Sequence, residues 1–270
     1  MGLAGHGRGS DLGQVTRVIE LLLIGIGSGN PDHLTGAAIR ALNRADLVLI
    51  PEKGAGKADL ADLRQGICGR FLTSGAKVVG FDLPVRDAAT PGYLDRVNDW
   101  HDVIAGVWQT AITDNLGQHG TVALMIWGDP SLYDSSLRIA ARLGHSVAVV
   151  PGITSLQLLT AAHAIPLNDL AAPFAVTTGR RLRETGLPAG IDTVVVMLDG
   201  DCSFSGLDPD GVSIWWGAYL GMPEQMLMAG PLAEVGPQII AARAVARAAH
   251  GWIMDIYLLR RAPVHSPADH

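Results

Sequence analysis

The sequence predicts an α/β fold, because short apolar runs typical of buried strands alternate with segments whose apolar residues recur at helical spacing. The chain has 270 residues, 48% hydrophobic and 17% charged, which is enough for one large or two medium-sized cores. A Pro-Gly pair at 151–152 interrupts the alternation. We therefore expect two α/β domains, at 18–150 and 151–262, after a flexible Gly-rich lead at 1–17.

The first half is predicted to contain four strands joined by helices. The apolar runs place these strands at 20–26, 46–50, 121–126 and 146–150. A helix is expected from Gly36, with Thr35 as its N-cap, and another from about 135 to a cap at Gly144. A long helix is expected between 92 and 115, where one apolar stripe forms core: Tyr93, Val97, Trp100, Ile104, Val107 and Ala111.

The second half continues with a helix at 154–163 and strands at 174–178, 193–198 and 213–216. An Ala-rich helix is expected to begin with Pro237 at its N1 position and to end at Gly251. The last strand is expected at 252–259. Together these elements predict a second sheet after the Pro-Gly pair.

Composition argues against several classes of protein. A net charge of −6 does not suit nucleic-acid binding. No apolar run approaches the roughly 18 residues of a membrane span, and the N-terminus lacks a signal peptide's apolar core. Two cysteines outside a CxxC pattern and nine histidines without ligand spacing predict no metal site. We expect a cytoplasmic protein, and the low charge leaves apolar surface for a homo-oligomer.

The Gly-rich stretch GIGSGN at 25–30 follows the first strand and has three interpretations. A dinucleotide site would need Gly or Ala where Asn30 stands, and Pro31 removes a backbone donor that a phosphate would use. A common methyltransferase motif would need an acidic residue at Leu23. The third interpretation is a tight turn that binds no ligand.

The stretch WGDPSLYDSS at 127–136 follows another strand and lies at the carboxyl edge of the predicted sheet. Open α/β sheets bind their ligands at that edge. A turn with a carboxylate, a Tyr and several Ser suits a polar small molecule.

These motifs occur with a PGITS turn at 151–155 and a VVVML strand at 194–198, and in this order the chain resembles the tetrapyrrole (corrin/porphyrin) methylase family. The resemblance covers about 20–260. It implies two α/β domains with S-adenosylmethionine in the cleft between them, and a homodimer. Stretches such as TTGRRL, WWGAYLG and HGWIMDIYLLR resemble the branch that methylates C1 of precorrin-5 and releases acetate to give precorrin-6A.

The resemblance also implies the cofactor contacts. They are Trp127, Gly128, Asp129, Leu132, Thr154, Ser155, Met197 and Leu220. Asp129 can accept a hydrogen bond from the cofactor's ammonium group. For Met197, ordinary core packing is the alternative. The family commonly has Asp where this chain has Asn30, so a carboxylate role at that loop is not expected.

On the substrate side, Pro31 matches the loop that borders the tetrapyrrole in this family. Arg180 and Arg181 follow a strand and can pair with the substrate's carboxylates, as can the neighbouring Arg183. Lys53 and Lys57 are weaker candidates for the same role. For acetate release, which needs a base and an oxyanion donor, the catalytic candidate is Tyr133, with Asp199 as another polar candidate.

Two rival functions remain open from the sequence. One keeps the cofactor but methylates another precorrin position or a nucleic acid. The other is a non-catalytic module that binds S-adenosylmethionine.

Overall fold

The computed structural model describes residues 18–52, 58–84, 92–251 and 253–262, and it contains two five-stranded sheets. The first sheet is entirely parallel, in the order β3-β2-β4-β1-β5. Its strands are β1 (Ile19–Gly25), β2 (Leu47–Glu52), β3 (Lys77–Asp82), β4 (Gly120–Ile126) and β5 (Ser146–Val150). All five carboxyl ends therefore lie at one edge of the sheet.

Helices cover both faces of the first sheet, because side chains of alternate residues in its central strands point to opposite faces. Leu21 and Leu23 of β1 pack in one core, whereas Leu22 and Ile24 pack in another. The helices are α1 (Gly36–Arg44), α2 (Ala58–Phe71), α3 (Tyr93–Leu116) and α4 (Ser136–Ala140). α3 and α4 contribute to the first of these cores, and α1 and α2 to the second.

The second sheet is mixed, in the order β6-β7-β10-β8-β9, and of these pairs only β6 and β7 run parallel. Its strands are β6 (Phe174–Thr178), β7 (Thr193–Met197), β8 (Val212–Ala218), β9 (Met226–Pro231) and β10 (Asp255–Arg261). The helices are α5 (Ser155–His163), α6 (Gly179–Thr185) and α7 (Leu232–His250). α6 and α7 pack on one face and α5 on the other.

The predicted α/β class is confirmed, and most predicted elements lie within two residues of their observed positions. Thr35 caps α1 as expected, its hydroxyl accepting from the Ala38 amide at 3.0 Å. Four elements were not predicted from the sequence: α2, β3, α6 and β9. In α2, Arg64 stands at a buried position of the apolar stripe and two exposed glycines, Gly66 and Gly69, lower the helix propensity, and β3 is a largely exposed edge strand.

Three predicted boundaries were wrong. The Ala-rich helix α7 begins at Leu232, so Pro237 lies inside it rather than at N1. Pro231 already ends the preceding strand, and the chain turns into the helix there, at the cost of one internal hydrogen bond at Pro237. α4 ends at Ala140, before Gly144, which adopts a φ of 67° in the following turn. The last strand begins at Asp255, and Trp252 lies outside the described residues.

Over the described ranges, no helix has the length and apolarity needed to cross a membrane. The N-terminal lead at 1–17 lies outside those ranges.

Candidate functional site

Three loops meet at the carboxyl edge of the first sheet, because β4, β1 and β5 are neighbours in it. Gly27 and Gly128 exchange two backbone hydrogen bonds, of 2.8 and 3.3 Å, which join the loops after β1 and β4. A Cβ on Gly152 would lie 2.1 Å from the Gly128 carbonyl oxygen, and one on Gly25 would lie 2.5 Å from the Gly152 nitrogen. We call Gly25, Gly128 and Gly152 the glycine junction. Of the three interpretations of GIGSGN, the geometry supports close backbone packing.

Asp129 stabilises the glycine junction through hydrogen bonds to two of its loops. Its Oδ2 accepts a hydrogen bond from the Gly152 amide at 2.8 Å, and its Oδ1 accepts from the amide and hydroxyl of Ser131 at 2.8 and 2.5 Å. The residue is 8% exposed. Burial alone would raise the pKa of the Asp129 carboxyl, but the hydrogen bonds from Ser131 and Gly152 outweigh it and lower that pKa. Asp129 therefore holds two loops together as an ionised carboxylate.

Replacing Asp129 with Asn should lower the free energy of unfolding by about 1–3 kcal/mol at neutral pH, because an amide cannot accept all three hydrogen bonds. The wild-type carboxyl has a lowered pKa in the folded state, so its contribution is complete above the ordinary Asp range. That contribution disappears as the pH falls through the lowered pKa. Urea unfolding of the wild type and Asp129→Asn at about pH 7 and about pH 3 measures the difference in their free energy of unfolding at each pH. An equal difference at the two pH values would contradict this assignment.

A cavity of about 440 Å³ opens beside the glycine junction, between the first sheet's loops and the second sheet. Four of the residues assigned to the cofactor line it: Trp127, Ser155, Met197 and Leu220. Ser28, which the sequence did not single out, also lines it and donates its hydroxyl proton to the Leu220 carbonyl at 2.8 Å. That bond ties the Gly-rich loop to the second sheet. The cavity wall is mainly apolar, but it also includes Asp199, Arg243 and Asp255.

The charged residues in this wall belong to a buried network that the sequence did not reveal. Asp199 accepts from the Tyr257 hydroxyl at 2.6 Å, and from the Ser203 amide and hydroxyl at 2.6 and 2.7 Å. Burial would raise the pKa of the Asp199 carboxyl, but these bonds, with one from the Asp201 amide, lower it. Burial and the Asp199 charge raise the pKa of Tyr257. Asp199 is thus a structural acceptor rather than a free base.

A second cavity of about 250 Å³ lies on the first-sheet side and includes Trp127 and Tyr133 in its wall. Trp127 lines both cavities, so it separates them. Tyr133 has a φ of 50° and donates its hydroxyl proton to the Val176 carbonyl of β6 at 3.1 Å. Burial raises the pKa of Tyr133, so the phenol stays protonated at neutral pH. Tyr133 therefore connects the loop after β4 to the second sheet.

Comparison with known proteins agrees with this architecture. The family model described as "Tetrapyrrole (Corrin/Porphyrin) Methylases" matches residues 20–236. The chain belongs to the tetrapyrrole methylase family.

Among relatives of this methylase, a "Precorrin-6A synthase [deacetylating]" from Sinorhizobium sp is 48% identical, with 90% of this chain and 95% of the relative covered. A solved structure titled as a putative cobalamin synthesis related protein, CobF, from Corynebacterium diphtheriae shows 35% identity and a TM-score of 0.77. That alignment covers 90% of this chain and 99% of the other. A Thermus thermophilus uroporphyrin-III C-methyltransferase, complexed with S-adenosyl homocysteine, shares the fold at 20% identity and a TM-score of 0.55, over 89% and 97% of the chains.

The other residues assigned to the methylase's cofactor lie close to the first cavity but have structural contacts. Gly128 makes the turn at a φ of 66°. Thr154 is the N-cap of α5, in a capping box with Gln157. Leu132 packs against the core beneath α5. Asp129, expected to hold the ammonium group, accepts hydrogen bonds from protein donors at both oxygens, and its contact with the cofactor stays a prediction.

The expected substrate residues of the methylase are spread more widely. Arg180 and Arg181 lie in the first turn of α6 with exposed side chains, each 4.0 Å from Glu184. Arg183 instead pairs with Asp201 at 2.9 Å and donates to the Ser203 hydroxyl at 2.8 Å, so it belongs to the buried network. Lys53 and Lys57 lie outside the described residues.

Pro31 begins a short 3-10 helix, Pro31–His33, in the Gly-rich loop of the methylase. Asn30 is the N-cap of this turn, and its side-chain oxygen accepts from the Asp32 amide at 2.9 Å. An amide performs this capping as well as a carboxylate, which explains why Asn is accommodated here.

Proposed function

We propose that this methylase transfers a methyl group from S-adenosylmethionine to C1 of precorrin-5 and releases acetate, giving precorrin-6A in oxygen-dependent cobalamin biosynthesis. The 48% identity to the Sinorhizobium enzyme, over nearly the whole of both chains, supports the specific reaction. The observation in the structure that carries the proposal is the cavity of about 440 Å³, which is lined by four of the residues that the family resemblance assigns to the cofactor.

The first cavity fits S-adenosylmethionine in size and chemistry. Its volume lies within the usual range of about 300–1,000 Å³ for small-molecule sites. Met197, Leu220 and Ile256 offer apolar surface for a purine, and the wall also carries polar groups, with Asp255 paired to Arg243. We propose that Trp127 and Ser155 border the methionine end. The bound cofactor would supply an electrophilic methyl group.

The work of the protein in methyl transfer is then mainly alignment. The glycine junction fixes the loops after β1, β4 and β5 relative to each other, and the Ser28 hydrogen bond fixes them to the second sheet. Trp127 separates the cofactor cavity from the second cavity, which we assign to the tetrapyrrole side. Arg180, Arg181 and Pro31 are proposed to border the substrate's acidic periphery.

The complete reaction consumes one water: precorrin-5, S-adenosylmethionine and water give precorrin-6A, S-adenosylhomocysteine and acetate. Water adds to the acetyl carbonyl, the bond from that carbon to the macrocycle breaks with its electron pair left on the macrocycle to bond the methyl group, and the two protons of the water are released as acetate leaves. We propose that Tyr133 orients the water by accepting a hydrogen bond from it, because its own proton is donated to the Val176 carbonyl and its raised pKa does not suit a base.

We further propose that the two sheets correspond to domains at 18–150 and 151–262, and that the methylase works as a cytoplasmic homodimer. Exposed valines on the edge strand β5, Val147 and Val149, offer apolar surface for a partner copy. Sedimentation equilibrium tests the assembly, and a monomer at working concentration would contradict it.

Replacing Gly200 with Leu tests the cofactor cavity. Gly200 lines the cavity and has no atom within 4 Å of its Cβ position, so the new side chain should enter the cavity without displacing protein. Affinity for S-adenosylhomocysteine, measured by calorimetry, should fall about tenfold or more, equivalent to about 1.4 kcal/mol.

The matched control is Gly206→Leu, which also has open space at its Cβ position but does not line the cavity. It should bind S-adenosylhomocysteine like the wild type. Equal affinities for the two variants would place the cofactor elsewhere.

A further inference from the structure

The second cavity contains a buried cation that the proposed mechanism does not use. Arg64 of α2 lines this cavity and is 9% exposed. Its Nε donates to the Met125 carbonyl at 3.0 Å, and its Nη1 donates to the Leu60 carbonyl at 3.0 Å. A guanidinium has five N–H groups, so these two bonds leave donors over.

The position of Arg64 follows from the strand order. β2 pairs with β4 only from Leu47 to Leu49. Beyond Leu49 and its partner, both strands continue without pairing with each other. The chain leaves β2 toward β3 and leaves β4 toward β5, in opposite directions across the sheet. Such a switch point opens a crevice at the carboxyl edge. Arg64 fills part of this crevice and satisfies the Met125 carbonyl that β2 no longer reaches.

Arg64 has no ion-pair partner within 4 Å in the part of the chain that the structure describes. Burial lowers its pKa to about 10, and the Asp134 charge partly opposes this. The side chain is therefore still charged at neutral pH. A buried charge without a partner is costly, and an anion bound beside it would relieve that cost.

A second donor lines the same cavity. Trp108 of α3 is 4% exposed, and its indole Nε1 has no acceptor among the described residues. Buried N–H groups are rarely left without an acceptor, so this one indicates a missing ligand or water. α2 and α3 pack on opposite faces of the first sheet, so the crevice brings donors from both faces to one cavity.

We propose that Arg64 and Trp108 form a carboxylate-binding site in the second cavity. Two donors with a positive charge favour an anionic acceptor, while the Asp134 carboxylate in the same wall accepts from the Ser136 amide at 2.6 Å. The apolar walls from Leu49, Phe81 and Ile104 suit a short hydrocarbon arm. A volume of about 250 Å³ holds such an arm. Resting on the proposed function, the carboxylate has two sources: an acidic side chain of the tetrapyrrole, or the acetate that the reaction releases.

A test that needs no activity uses the Trp108 indole N–H in proton–nitrogen NMR spectra of the full chain, assigned with Trp108→Phe. Sodium acetate should shift this signal to saturation in the wild type, whereas sodium chloride at the same ionic strength should not. Arg64→Gln should weaken the acetate effect at least about tenfold, as expected for a lost charged hydrogen bond. Arg44→Gln, which removes an exposed arginine of α1, should leave the effect unchanged.

Steady-state kinetics with precorrin-5 then show whether the bound carboxylate is the released acetate or an acidic side chain of the tetrapyrrole. If acetate occupies the site, inhibition by added acetate should weaken at least about tenfold in Arg64→Gln and about two- to tenfold in Trp108→Phe. If a substrate arm occupies it, the KM for precorrin-5 should rise by similar factors. Arg64→Lys, which keeps the charge, should lie between wild type and Arg64→Gln.

The proposal is overturned if acetate leaves the indole signal unmoved and neither KM nor acetate inhibition changes in the variants. A shifted signal in a protein that does not turn over precorrin-5 would support the carboxylate site while the proposed function fails. Turnover of precorrin-5 with neither effect would leave the function standing without this site.

Discussion

Replacing Arg243 with Met is expected to lower the free energy of unfolding by about 3–5 kcal/mol, as for other broken buried ion pairs. Arg243 pairs with Asp255 at 2.9 Å, and their side chains are only 10% and 7% exposed. The guanidinium also donates to the Asp199 and Gly200 carbonyls at 2.7 and 3.0 Å. Met keeps the aliphatic part of the side chain but leaves Asp255 as an uncompensated buried charge and two carbonyls without their donor.

The comparison is Arg247→Met, one helical turn further along α7, where the arginine is exposed. This control should change the free energy of unfolding by less than about 1 kcal/mol, the usual size of a charge effect at a helix end. Urea unfolding of both variants measures the difference. Similar losses of free energy of unfolding in the two variants would show that any substitution at this end of α7 is destabilising. The Arg243–Asp255 ion pair would then not be the cause.

The second large effect is expected for Gly152→Ala at the glycine junction. Its Cβ would lie 2.1 Å from the Gly128 carbonyl oxygen and 2.7 Å from the Gly25 carbonyl carbon. Both contacts are with backbone, so no side-chain rotation relieves them, and the loops after β1, β4 and β5 must separate. We expect a loss near the upper end of the overpacking range, about 3 kcal/mol. S-adenosylhomocysteine affinity should fall with it, because these loops border the cofactor cavity.

Gly66→Ala provides the matched control, since Gly66 lies inside α2 with no atom within 4 Å of its Cβ position. It should be neutral or stabilising by about 0.5–1 kcal/mol, as for other helical glycines. Thermal unfolding measures the stability of the two variants, and calorimetry measures their affinity for S-adenosylhomocysteine. A Gly152→Ala protein as stable as Gly66→Ala would show that the three loops are not held in close contact.

The sequence predicts the positions of four of the five strands of the first sheet, because these strands are uninterrupted apolar runs. The register at β1, β4 and β5 places GIGSGN, WGDPS and PGITS side by side, as the carboxyl-edge argument expects. Pattern alone cannot find β3, whose residues are mostly exposed, or α2, where Arg64 stands at a buried position of the apolar stripe. Arg64 comes from that helix, so the carboxylate site was also hidden.

The site residues divide along a similar line. Trp127, Ser155, Met197 and Leu220, which the family resemblance assigns to the cofactor, line one cavity. For Asp129 the structure adds contacts that the sequence does not show, because Ser131 and Gly152 donate to its two carboxylate oxygens; its contact with the cofactor stays a prediction. The hydrogen-bond partners of such residues often lie far away in the sequence. The Ser28 bond to Leu220 spans 192 residues, and no local pattern signals it.

The most direct test of the proposed reaction supplies purified protein with precorrin-5 and S-adenosylmethionine carrying a labelled methyl group, and follows two products in a single turnover. We expect one labelled methyl group in precorrin-6A and one acetate for each precorrin-5 consumed, with both formed at least about tenfold more slowly by Gly200→Leu at subsaturating S-adenosylmethionine. Methylated product without acetate, or no methylation by a protein that binds S-adenosylhomocysteine, would contradict the proposed function.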